Sequence, residues 1–247
     1  MAQENTVYGE LFSAIYNESW DIWTPKVWPF LRRTVRRLAP HARTWLDLCC
    51  GNGSLLRHVQ NAGFSATGLD SSLYQLRCAR KNAPKAKFVR GDVRDLNLGR
   101  TYDVVTCMFD SLNYLTAKRD VFRLFTRVRQ HLEKKGLFIF DANTYAGLQE
   151  QWKETRVLRE PHYTLVAESS FESRRGLGRC RITGFIKKGH LYRKFEEEHV
   201  ERGYEPYEIE SLLRRAAFRY TKYDGYALSK PTDASWRLMY VCRVSDV

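Results

Sequence analysis

Three carboxylates close short apolar runs in the first half of the chain: Asp47 in WLDLCCGNGS (45–54), Asp70 in SATGLD and Asp92 in RGDV. Gly51 and Gly53 lie just after the first. Glycines let a backbone approach a ligand that side chains would hold off, and a helix opening behind them presents unpaired N–H groups. Phosphate cradling is poorly supported, because the third glycine of G-x-G-x-x-G is Leu56 here and the Walker A lysine is absent. Asp47 beside the loop repels a pyrophosphate and suits an ammonium group. Asp70, 17 positions after Gly53, falls where an acid meets ribose hydroxyls. Asp92 suits an adenine amine. One ligand satisfies all three acids: an adenosine with an amino-acid tail and no phosphate.

Those acids need strand ends to stand on, and the pattern supplies them. RTWLDLCC is short and apolar, as a buried parallel strand is. SLLRHVQNAG predicts a helix stopped by Gly63; SATGLD predicts a second strand; Ser71 or Ser72 caps a helix running to Asn82, before Pro84. KFVRGD and YDVVTCMFD follow as strands. Val121, Leu124, Phe125, Val128 and Leu132 keep helical spacing, in a helix expected to end at Gly136 before the strand GLFIFDAN. Repeated strand–helix–strand units imply a parallel sheet covered on both faces.

After Asn143 the pattern changes. YTLVAESSFES, RRGLGRCRITGFIKKGH and LYRKFEEEHVERGY alternate and are punctuated by glycine turns, which predicts a small antiparallel sheet. EPYEIESLLRRAAF predicts a helix with Pro206 near its first position, and two strands close the chain. At the other end, Thr24-Pro25 starts a helix with Val27, Leu31, Val35 and Leu38 on one face. The expected organisation is a single domain: a helical cap (1–40), a ligand-binding core (41–143), an antiparallel insert (144–204) and a return to the core sheet (205–247).

The ordered set DLCCGNG, GLD, GDV, YDVVTCMFDSLNYL and GLFIFD resembles the class I S-adenosylmethionine-dependent methyltransferases over about residues 40–143. Ser54 replaces the third glycine of the family's usual loop. The resemblance implies a Rossmann-like α/β fold with a seven-stranded, mostly parallel sheet, and S-adenosylmethionine as cofactor with S-adenosylhomocysteine as product. It assigns Asp47, Cys49, Gly51, Asn52 and Gly53 to the methionine end, Asp70 and Ser71 to the ribose, Asp92 and Val93 to the adenine, and Met108, Phe109 and Asp110 to the pocket wall. FDSLNYL lacks the proline of nucleic-acid amino-methyltransferases and resembles the small-molecule group that includes amino-sugar N-methyltransferases. In those relatives the N-terminal helix and the inserted sheet cover the site, and the insert often supports dimerisation, so a monomer or homodimer is expected.

Methyl transfer requires a general base only when the nucleophile arrives protonated. His199 is the candidate base; in a strand it shares a face with Glu197 and Glu201. Tyr16 is a second catalytic candidate, and Tyr8, Asn113 and Tyr114 are candidate substrate contacts. Trp20, Trp23 and Trp28 either wall a cation or staple a helix to the core.

The net charge of +13 leaves a second reading open, an RNA-modifying methyltransferase tracking phosphates with Arg32, Arg33, Arg36, Arg37 and the arginines of the insert. A third reading is a non-catalytic cofactor-binding scaffold. The six cysteines form no C-x-x-C pair, so neither a metal nor a redox motif is expected, and all six read as buried thiols. No apolar run approaches the ~20 residues of a membrane span, and the first residues lack the order of a signal peptide. A cytoplasmic protein without a membrane partner is expected.

Overall fold

The computed structural model describes residues 7–19, 22–225 and 228–245. The first half alternates as its periodicity requires. Two helices, α1 (Glu10–Ser19) and α2 (Thr24–Leu38), precede β1 (Thr44–Leu48), α3 (Ser54–Asn61), β2 (Ser65–Asp70), α4 (Leu73–Asn82), β3 (Lys87–Arg90), β4 (Tyr102–Cys107), α5 (Lys118–Gln130) and β5 (Leu132–Asn143). Then come α6 (Tyr145–Gln151), β6 (Thr155–Glu160), β7 (Tyr163–Glu172), β8 (Leu177–Lys188), β9 (Leu191–Arg202), α7 (Pro206–Arg215), β10 (Phe218–Asp224) and β11 (Arg237–Val244). The main sheet has seven strands in the order β10-β11-β5-β4-β1-β2-β3. It is parallel except where β11 runs against β5 and β10.

Both faces of that sheet are buried, and β5 shows how. Leu137 and Ile139 point to the face covered by Leu31 and Val35 of α2 and by Leu55, Leu56 and Val59 of α3. Phe138 and Phe140 point to the opposite face, against Val121, Leu124 and Phe125 of α5 and Leu212 and Leu213 of α7. Alternate side chains of one strand thus fill two cores, which is why these strands read as continuous apolar runs.

α5 stops at Gln130, six residues short of Gly136. The His131 side chain pins that end, with Nε2 accepting from Leu98 N at 2.9 Å and Nδ1 lying 2.8 Å from Arg127 O. Gly136 belongs instead to a bulge: Leu132 pairs with Tyr102 but Leu137 pairs with Val104, so Glu133–Gly136 loop out of the ladder. A Cβ on Gly136 would stand 2.8 Å from the Leu132 side chain.

The insert sheet, β6-β7-β8-β9, is antiparallel throughout. α6 and β6 are additions to what the sequence pattern predicts. All six residues of β6 are exposed, so the strand carries no alternation to detect. Phe12 and Ile15 of α1 pack on Tyr163, Leu165, Cys180 and Ile182 of the insert. α1 is also tied to the core, where Asn82 donates to Asn17 at 2.7 Å and to the carbonyl of Asn52 at 2.9 Å. No described helix is long and apolar enough to cross a membrane, all six cysteines are free, and Cys49 and Cys78 are only partly buried.

Candidate active site

A cavity of about 470 Å³ opens at the carboxyl ends of β1, β2 and β4, under α1 and the insert. At one end the glycine loop enters it. Gly51 N–H donates to Asp70 Oδ2 at 2.8 Å, and Asp70 Oδ1 accepts from Ser72 N, so the second-strand acid holds the loop in place. Ser72 caps α4, its hydroxyl accepting from Gln75 N. The two glycines have different reasons. At Gly51 (φ +50°) a Cβ would meet only Gln75 Oε1, at an ordinary 3.8 Å, so its backbone angle is what calls for glycine; at Gly53 (φ +76°) a Cβ would also meet the Ala79 backbone of α4 at 3.0 Å. Gly53, expected among the cofactor-binding residues, does not line the cavity; its backbone angle and close helix packing explain the second glycine.

Asp47 is buried at the tip of β1, and burial pushes its carboxyl up to about 7. Thr106 Oγ1 donates to it at 2.7 Å, but among the described residues no side-chain cation pairs with it. Two neighbours on the cavity wall, the Ser54 hydroxyl and the Gln75 amide, are buried without a hydrogen-bond partner among the described residues. Buried polar groups are nearly always satisfied, so this end is shaped for a ligand bearing both charge and hydrogen bonds. Gln75 does not stand out in the sequence, where it reads as an ordinary helix residue, and Ser54 is marked there only as the replacement for the loop's third glycine. Asp92 lies on the wall too, yet Arg94 engages both of its oxygens and holds its carboxyl below the usual range. Cys49, Asn52, Ser71, Val93, Met108 and Phe109 also line the cavity.

The other end is built from distant parts of the chain. Asp110, Tyr114, Glu201 and Arg237 face the cavity. Arg237 bridges Asp110 at 3.0 Å and the buried Asp141 at 2.6 Å. Asn143 Nδ2 reaches Asp110 at 3.3 Å and Glu201 at 3.4 Å. Burial, and then the nearby Asp110, raises the Glu201 carboxyl well above its ordinary value. Tyr8 and Tyr16 cover this end with their rings edge to face, centroids 5.4 Å apart. Tyr8, Cys49, Phe109 and Asp110 all carry positive φ, so the backbone around the cavity holds strain of about 1 kcal/mol or more per residue.

Two expectations change here, and the tryptophans divide between the two readings left open for them. Asn113 is fully buried and does not line the cavity; its amide donates to Asn143 O and Arg202 O and accepts from Asn143 N, stapling β5 to β9. His199 is 4% exposed and lies behind Tyr114, not on the wall. Trp28 packs against Trp45 and stacks on His58, whereas Trp23 lines the cavity, and Trp20 lies outside the described residues. Glu197, His199 and Glu201 do share the buried face of β9.

Residues 46–136 match the family model described as a methyltransferase domain. The putative methyltransferase YqeM of Bacillus subtilis is 25% identical over 97% of this chain and 95% of its own. The dTDP-3-amino-3,4,6-trideoxy-alpha-D-glucopyranose N,N-dimethyltransferase of Streptomyces venezuelae is 29% identical over 77% of this chain and 81% of its own. Among solved structures, an S-adenosylmethionine-dependent methyltransferase of Clostridium acetobutylicum has a TM-score of 0.87 at 27% identity, covering 95% of this chain and 98% of that one. With the glycine loop, the strand order and the cavity agreeing with these matches, the chain belongs to the class I S-adenosylmethionine-dependent methyltransferases, with S-adenosylmethionine as its methyl donor.

Proposed function

We propose that this methyltransferase modifies a small-molecule amine held as a cation at the carboxylate end of the cavity. One observation carries the reading: Asp110 and Glu201 face the cavity, while the two guanidinium groups on its wall, Arg94 and Arg237, are already engaged by Asp92 and by Asp110 with Asp141. No unpaired cation stands on that wall, among the described residues, to meet a diphosphate or a phosphodiester. The volume falls within the roughly 300–1,000 Å³ of small-molecule sites. The Streptomyces relative is named for N-methylation of a dTDP-linked amino sugar. That supports nitrogen as the acceptor, whereas the acidic wall disfavours the nucleotide handle. The RNA reading rests on exposed arginines of α2 and the insert, away from this cavity.

When bound, the cofactor supplies a methyl group on an already activated sulfonium. Asp47, Ser54 and Gln75 would hold its amino-acid end, Asp70 its ribose, and the Val93 segment its adenine, with Asp92 sharing its oxygens with Arg94. Tyr8 and Tyr16 exclude water, and Tyr114 positions the acceptor; alignment supplies most of what such a transfer asks of a protein. The first test is titration with S-adenosylmethionine, S-adenosylhomocysteine and NAD, where the first two alone should bind. The second is label transfer to a panel of free aliphatic and sugar amines beside dTDP-linked amino sugars. Transfer to free amines is expected; transfer confined to dTDP-linked or hydroxyl acceptors would overturn the reading.

A further inference from the structure

His199 is walled in. Tyr8 and Phe12 present their rings to it edge-on at 5.3 and 5.2 Å, and Cys180 is its register partner on β8. Among the described residues its close polar neighbours are two. Nδ1 lies 2.8 Å from the Tyr114 hydroxyl; Nε2 lies 3.4 Å from Glu197 Oε2, an ion-pair distance at which it makes no hydrogen bond to a described residue. Glu197 is itself clamped by the segment before α1, accepting from Tyr8 N and Gly9 N at 2.8 Å each. Of the three side chains, only Tyr114 reaches the cavity.

The geometry points to a proton relay, Tyr114–His199–Glu197, in which the Tyr114 hydroxyl is the cavity-facing terminus, His199 the acceptor behind it, and Glu197 a positioning residue that also latches the N-terminal segment. This rests on the reading that the acceptor is an amine. An ammonium has no lone pair, so one N–H bond must break before nitrogen can attack. That proton goes to Tyr114 oxygen as the phenol's own proton passes to His199 Nδ1, and the resulting imidazolium faces the Glu197 carboxylate. Nitrogen keeps the electron pair, which would form the new bond to the methyl carbon as that carbon's bond to the donor's sulfonium sulfur breaks and its pair stays with sulfur. Burial holds the Tyr114 phenol well above its ordinary pKa, so Tyr114 passes a proton without storing the charge. The groups facing His199 are Glu197 and Glu201 on its own strand, Cys180 on β8, Tyr8 on the N-terminal segment and Tyr114 after β4; Asp110 lies on the cavity side of Tyr114.

The Glu197 carboxylate standing beside Nε2 favours a hydrogen there, which leaves Nδ1 to accept from Tyr114. Long-range ¹H–¹⁵N spectra of ¹⁵N-histidine-labelled protein at neutral pH test this without any acceptor. His199→Gln identifies the signals, and Tyr114→Phe identifies them independently should that variant fail to fold. We expect a neutral Nε2–H ring whose Nδ1 resonance moves toward that of an unbonded nitrogen in Tyr114→Phe. An Nδ1–H tautomer, a charged ring in the wild type, or an Nδ1 signal indifferent to Tyr114→Phe would overturn the relay. None of these outcomes bears on cofactor titration or on the amine panel, so failure of the relay is separable from failure of the proposed reaction.

Discussion

At the glycine-loop end of the cavity, the wall is made of consecutive strand tips, and its key hydrogen bond spans 19 residues, from Gly51 N to Asp70. At the carboxylate end, Arg237 reaches Asp110 across 127 residues, and the Tyr8 amide reaches Glu197 across 189. The first end is a local device, a strand, a turn and a helix N-terminus, that many sequences can specify in one stretch. The second exists only once α1, β9 and β11 have docked. On the proposed reading the two ends should fail differently: damage at the loop end should cost cofactor affinity, whereas damage at the far end should leave the cofactor bound and impair chemistry.

The sharpest break in that contrast is Asp70→Ala. It removes the acceptor of two backbone N–H groups together with the proposed ribose contact, at a cost of roughly 3–4 kcal/mol. S-adenosylhomocysteine affinity should fall about 100- to 1,000-fold by titration, and unchanged affinity would sink the assignment. His199→Gln should do the converse, lowering kcat on an accepted amine about 100-fold while cofactor affinity holds. A matching loss of cofactor binding would erase the distinction between the ends.

Gly53→Ala probes the loop end through stability. The αL backbone and the Ala79 contact together should cost about 2 kcal/mol, read as a lowered melting temperature. Asp47 adds a pH signature. Its carboxyl keeps its proton in the folded state up to about 7, against 3.8 for an ordinary side chain, so its stabilising contribution is complete below 3.8 and is lost as pH rises to about 7. Asp70, Asp141 and Glu201 shift in the same direction. Stability of the cofactor-free protein should therefore decline between pH 4 and pH 7, by at most about 1.4 kcal/mol per unit for each group. Asp47→Asn should flatten part of that decline, and an unaltered profile would show that Asp47 is ionised without a ligand. The smallest effect is expected outside both ends: Arg36→Ala on the exposed face of α2 should change stability by less than about 0.5 kcal/mol and leave methyl transfer untouched.

Legibility followed the same division. Strands β1 to β4, a cap at Ser71 or Ser72 and the end of α4 at Asn82 are readable because side-chain period and turn chemistry are local properties, and the fold selects Ser72. β6 is not, because an edge strand exposed on both faces leaves no period. Gln75 and Ser54 are helix residues until the fold denies them partners. Asn113, next to the site in sequence, is instead a staple between β5 and β9, because its side chain turns away from the cavity toward three backbone groups.

From the residues alone come the parallel core, the acid at each strand end, the glycine turn and hence the kind of ligand they suit, since each depends on neighbours within a few turns of chain. Also readable there is that Glu197, His199 and Glu201 share one face of a strand, because the period of a strand is two. Which way that face points was decided by the tertiary structure alone. Docking of β9 against α1 and the turn after β4 placed Glu201 on the cavity wall and set His199 behind Tyr114. It also brought Arg237 between Asp141 of β5 and Asp110 of the turn after β4, because packing of distant segments, unlike strand periodicity, has no local signature.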